Sequence, residues 1–262
     1  MKNPWAHRCA ILVAALALIV IAMGALLTSE IRTFPGATAP STVTAPSLER
    51  AHVIVGFAAA LGTILLAGRT LRSNLIRSIV GIAAIVEVAS GRAPVSHAVL
   101  APVVFSFIVA IAVLTSKSWQ AGPKPVESQW GPLRTIGIAV PVLVAIQIAL
   151  GSAFRHNAMG VVWHILDALI VLLVLLVAGV FVLRQYPEHP SLRPAALALV
   201  IVGGVQVLLG FAVYLVLLMS SENNTGVIVS GALHVTNGAL TLAASVVLAM
   251  QMQRNLIQLS GA

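Results

Sequence analysis

Apolar runs long enough to cross a lipid bilayer recur along this chain, and no other feature constrains its folding as tightly. A helix needs about 20 apolar residues to span the hydrocarbon core. Runs that meet or approach this length occupy residues 9–27, 51–68, 95–115, 135–154, 159–183, 194–219 and 226–252. Inside lipid every backbone polar group must be satisfied within its own segment, so such runs are predicted to be helices. Composition agrees: 59% of the 262 residues are hydrophobic and 8% are charged, whereas a soluble domain needs far more charge on its surface. Cys9 is the single cysteine, which excludes an intramolecular disulfide and a cysteine metal cluster.

An eighth run, residues 75–89, is short and carries Arg77 and Glu87. Loop charge argues for keeping it. With eight spans and a cytoplasmic N-terminus, only Arg32, Arg50, Arg92 and Arg155 of the 15 Lys and Arg lie outside, so the other eleven lie inside. Removing the weak span would invert everything after Gly91 and put Lys117, Lys124 and Arg134 outside. The net charge of +8 is thus spread over short loops in a pattern that orients a membrane protein, not one that binds nucleic acid. The first span follows Lys2 and Arg8 like a secretory signal. Its apolar run is longer than a usual signal core, with no small-x-small cleavage site close behind, so it reads as a retained helix.

The expected fold is therefore an all-α integral membrane protein, its eight transmembrane helices forming two pseudo-symmetric four-helix bundles. Residues 1–116 make the N-terminal half and 135–262 the C-terminal half. Residues 117–134, rich in Pro, Gly and charge, form a cytoplasmic linker. A short pattern recurs near the outer ends of odd-numbered spans: Glu87 before Gly91, Gln147 before Gly151 and Gln206 before Gly210, each four residues apart, with Gly24 alone on the first span. Four residues make about one helical turn, so each pair shares a face. Glycine there lets a neighbouring helix or a flat ligand approach, or simply serves packing. Three copies suggest duplication of a four-helix unit.

Seven histidines are present. His7 and His189 fall in cytoplasmic segments where solvation is expected, and His156 lies in an outer loop. His52, His97, His164 and His234 occur one on each even-numbered span, all toward the outer end. A single histidine in a span is commonly a hydrogen-bonded packing residue. One per even span, at matching depth in both halves, points instead to the bundle interior and to ligation. A structural zinc site takes four protein ligands, whereas two opposed imidazoles suit an iron porphyrin, which supplies the in-plane nitrogens itself. Arg50, Arg92 and Arg155 lie on the outer side, where they would neutralise propionates or snorkel to the interface. His164 with Asp167, and His234 with Asn237, stand three residues apart on shared faces, as orienting partners would. Glu49 shares a face with His52, either to handle protons beside a heme edge or to complement the helix dipole.

Eight spans in two halves, a histidine on each even span, Glu49-x-x-His52, and Gln147-x-x-Leu150-Gly151 followed by Arg155 together resemble the heme A synthase family of cytochrome oxidase assembly. The similarity runs over residues 24–250. The resemblance implies oxidation of a ring methyl of heme O to a formyl group, giving heme A for terminal oxidases. It implies that His52 and His97 lie at the substrate heme, that His164 and His234 hold a heme b serving in electron transfer, and that Glu49 is catalytic. The chain departs from the family in lacking a cysteine pair in the loop of residues 28–48, and in having Val53 where arginine usually follows the histidine.

The leading expectation is thus an oxidoreductase of the inner cell membrane, with both termini cytoplasmic and the heme sites toward the outer side. Its partners would be the bilayer, heme O, a heme O synthase and an electron donor or acceptor, without nucleic acid; a homo-oligomer is compatible with the sequence. The alternative is a non-enzymatic diheme protein for electron transfer or heme handling. A third reading is a repeat-built transporter with the histidines as a proton relay. A heme prenyltransferase is disfavoured, because no Asp-rich loop is available to bind a magnesium diphosphate.

Overall fold

The computed structural model describes residues 4–30, 46–128, 130–219 and 225–257, with no side-chain placement for 29 and 30. Among these residues eight helical segments are long and apolar enough to cross a membrane: α1 (Pro4–Glu30), α2 (Pro46–Thr70), α3 (Asn74–Ala89) with the turn that continues it to Arg92, α4 (Pro94–Thr115), α6 (Leu133–Arg155), α7 (Val161–Gln185), α8 (Leu192–Met219) and α9 (Thr225–Asn255). The chain is an all-α, multi-pass membrane protein. The weak run with its two charges is a helix, started by Ser73, whose hydroxyl accepts from the Ile76 amide at 3.4 Å. It ends in a 3₁₀ turn (Ser90–Arg92), and Pro94 opens the next helix at a position where no amide hydrogen is needed.

Connections of a few residues join α2 to α3, α3 to α4, α6 to α7 and α7 to α8, and so make these neighbours antiparallel. In the first half α1 and α3 each pack on both α2 and α4, closing a four-helix ring. In the second, α6 and α8 each pack on both α7 and α9. The rings meet where α9 lies against α1 and α4, and where α4 touches α6. Accordingly α9 contributes to both cores: Ala239 and Ala243 pack with Phe105 and Ile108 of α4, and Leu242, Leu248 and Met252 pack with Leu133 and Val140 of α6. Outward faces carry exposed Leu61, Leu173 and Leu208. Such a surface would be a liability in water and is what a bilayer requires.

The segment predicted as a linker is a folded layer across one end of the bundle. A one-turn helix α5 (Lys117–Gln120) precedes strand β1 (Val126–Glu127), which pairs in parallel with β2 (Leu256–Ile257) beyond α9. Asn255 Oδ1 accepts from the Lys124 amide at 2.8 Å, and Arg254 stacks 4.0 Å over the Trp119 ring. Arg134 donates to Gln253 Oε1 at 2.9 and 3.1 Å, and Gln253 Nε2 donates back to the Arg134 carbonyl at 2.7 Å. His189 corrects the expectation of a solvated side chain. It is buried, its Nε2 donates to the Lys124 carbonyl at 2.9 Å, and its Nδ1 accepts from the Leu192 amide at 3.0 Å where α8 begins. A folded linker lying over it is the reason. His7 is also engaged: it is half-buried, and its Nδ1 donates to the Ala112 carbonyl at 2.9 Å.

A candidate paired-histidine site

All four singled-out histidines are half-buried at the bundle end opposite the folded linker, and they form two pairs. His52 of α2 faces His97 of α4, with ring centres 6.1 Å apart and planes 80° apart. His164 of α7 faces His234 of α9 at 6.2 Å and 87°. Each pair comes from opposite corners of its four-helix ring, so the rings point across the interior.

The glycine register explains how the rings are seated. A β-carbon on Gly24 would lie 2.9 Å from His52 Cε1, one on Gly151 2.8 Å from His164 Cε1, and one on Gly210 3.0 Å from His234 Cε1. These glycines therefore make room for an imidazole of the next span. Gly91 differs, with nothing within 4 Å of its added carbon. Four residues before each glycine stands the ring's polar partner. His52 Nδ1 donates to the Val20 carbonyl at 3.1 Å, His97 Nδ1 to the Glu87 carbonyl at 3.0 Å, and His164 Nδ1 to the Gln147 carbonyl at 3.2 Å. For His52 and His97 an Nδ1–H engaged this way leaves Nε2 as the nitrogen for a ligand, the usual arrangement of a metal-bound histidine, whereas His164 Nε2 also has the Gln147 amide Nε2 3.5 Å away.

The fourth ring follows a variant of the rule. Gln206 Nε2 lies 3.2 Å from His234 Nδ1 and 3.3 Å from Nε2. The amide is oriented by Asn237, whose Nδ2 donates to Gln206 Oε1 at 2.8 Å and to the Val202 carbonyl at 3.0 Å. Asn237 thus acts on His234 through Gln206, not directly as its spacing suggested. Asp167 interacts electrostatically with His164 but makes no hydrogen bond to it, and its Oδ2 is buried without a partner among the described residues. Glu87 had no assigned role; its Oε1 stands 3.4 Å from His97 Nδ1.

The remaining candidates lie around this end. Glu49 and Arg50 are exposed in the first turns of α2, and among the described residues no hydrogen bond joins Glu49 to His52. Arg92 is exposed on the 3₁₀ turn. Arg155 is half-buried and reaches across to α1, donating to Thr28 Oγ1 at 2.7 Å and to the Ala25 carbonyl. It complements the carbonyl end of α1. Just outside the span, burial and then the Arg155 charge push the His156 imidazole below its ordinary value. The loop of residues 28–48 falls mostly outside the described residues.

The donor set can be tested against a metal group. Among the described residues no three His, Cys, Asp or Glu side chains converge as a metal cage. Two imidazoles on opposite sides of one ion place their ring centres about 6 Å apart, from about 2 Å per metal–nitrogen bond and about 1 Å more to each ring centre. Both pairs have the separation that a metal with its other positions filled by a macrocycle would require, while in the second pair the Gln147 and Gln206 amides lie against the two Nε2 atoms at 3.5 and 3.3 Å. No protein-family model matches the chain, and no curated protein matches it.

Proposed function

We propose that the protein is a heme-binding membrane oxidoreductase of the heme A synthase type, which oxidises a methyl group of heme O to a formyl group for terminal oxidase maturation. The observation that carries the reading is the pair of histidine couples, 6.1 and 6.2 Å across, each from diagonal helices. In this reading the iron porphyrins supply the redox chemistry. His52 and His97 would hold the substrate heme, and His164 and His234 would hold a heme b, which would supply a path for electrons. Arg50 and Arg92, exposed at the mouth, are available to propionates, and Arg155 adds positive potential beside the second pair. Conversion of the methyl to the formyl would take one oxygen atom from water and give up four protons and four electrons; Glu49 would accept protons, and the electrons would leave to an external acceptor. The two like-ordered rings derive from one duplicated four-helix unit, and the histidine end faces outward from the inner membrane, with both chain termini cytoplasmic. Coexpression with a heme O synthase, followed by chromatography of extracted hemes, tests the reading. Heme A is the expected product; heme B and heme O alone, where a known synthase makes heme A, would sink it.

A second reading is favoured by one observation: Glu49 is exposed and not bonded to His52. In that case the protein is a non-enzymatic diheme carrier or heme-handling factor. Glu49→Ala separates the two. Under the first reading formyl formation collapses while heme is retained; under the second neither heme content nor redox behaviour changes.

A further inference from the structure

Glu87 is an acid inside a membrane span, its side chain only 13% exposed. Such a residue is costly in lipid unless paired, and it usually marks function. Its carbonyl accepts from His97 Nδ1 at 3.0 Å while its own carboxyl Oε1 stands 3.4 Å from the same nitrogen. Among the described residues none of the other three rings has a carboxyl group so placed. His52 meets the Val20 carbonyl, His164 the Gln147 carbonyl, and His234 the Gln206 amide. Glu87, Gln147 and Gln206 hold the same register, four residues before a glycine, and only the first is an acid. The carboxyl group near the second pair, Asp167, makes no hydrogen bond to His164.

We infer that Glu87 is a positioning residue of the first site. It fixes His97 with Nδ1 as donor, which leaves Nε2 as the ligating nitrogen, and it makes His97 the most electron-donating of the four imidazoles. The inference presupposes heme at the first pair. A carboxylate behind a ligating imidazole raises ligand basicity. That favours ferric over ferrous iron and lowers the reduction potential at that site alone.

The test is a potentiometric titration of purified full-length protein loaded with heme, each ferric iron taking one electron from the reductant. The wave that survives in His234→Ala is assigned to the first site. Glu87→Gln keeps the side chain's size and removes the carboxylate, so the first-site midpoint should rise while the second stays. A first-site midpoint that does not move, or two midpoints that move together, overturns the inference and leaves heme binding standing. Wild-type protein that takes up no heme overturns the underlying reading instead. A second measurement needs no variant. Both ring pairs are near perpendicular, at 80° and 87°, so ring orientation alone would give the two ferric sites alike electron paramagnetic resonance signals; the carboxylate behind His97 should set them apart, the first showing the smaller spread of g values. Identical signals from both sites overturn the inference as well.

Discussion

At the scale of single residues, the decisive contacts are between a missing side chain and an imidazole. A methyl group on Gly24 or Gly151 would meet a histidine Cε1 under 3 Å away. The ring is the free end of a side chain and can yield, so the fold should tolerate the change, with stability altered by about 1 kcal/mol or less. The yielding ring loses its seat on the Val20 or Gln147 carbonyl. If the pairs hold heme as proposed, Gly24→Ala should weaken its retention at the first site by about 10–100-fold, and Gly151→Ala at the second, the range seen when a ligand's outer partner is disturbed. Heme per protein, read by absorbance after detergent dialysis, measures both. His156 gives a prediction in pH. Its Nε2 is buried without a partner among the described residues, and its affinity for a proton is depressed below the ordinary value of 6.5. The unfolded chain then binds more protons than the folded one, so stability falls as pH drops through about 6.5. Thermal unfolding in detergent at mildly acid and neutral pH should show a smaller difference in His156→Gln than in the wild type.

At the scale of elements, the segment between the two rings behaves as a structural part. His189 holds the start of α8 and the Lys124 carbonyl together, with the contact to the Leu192 amide buried and that to Lys124 partly so. His189→Ala should cost about 1–3 kcal/mol, the range for leaving buried partners unsatisfied, measured as a lower midpoint of thermal unfolding. An unchanged midpoint would mean that water replaces the imidazole. Little of this layer was legible in the sequence. Pro, Gly and charge signal a break between helices, and the long helices α4 and α6 are interrupted between Thr115 and Leu133, but such signals say nothing of a strand partner lying more than 120 residues away. By contrast the helices were readable nearly to their ends, because lipid leaves the backbone no alternative. The weak run at residues 75–89 became legible only through loop charge, and the helix there is Asn74–Ala89.

At the scale of the whole molecule, the four histidines could be selected from the sequence because identity, depth and alternation all pointed to the same end. What completes each of three seats is a main-chain carbonyl, which leaves no mark in a sequence, and Val20 gives no polar hint at all. The proposed orientation of the bundle is open to a direct test. In a background with Cys9 replaced, Ala158→Cys, in the exposed turn between α6 and α7, should react with a membrane-impermeant thiol reagent on intact cells. Lys124→Cys should react only after the membrane is opened, and the reverse pattern would invert the topology. The pairing of Val126 with Leu256 carries a consequence for biosynthesis. The mid-chain strand has no mate until residues near 256 have left the ribosome, so it must wait, exposed, while four further helices enter the bilayer. Closure of that end is a late event in assembly, and a chain arrested before α9 is finished will present this strand to whatever quality control patrols the membrane surface.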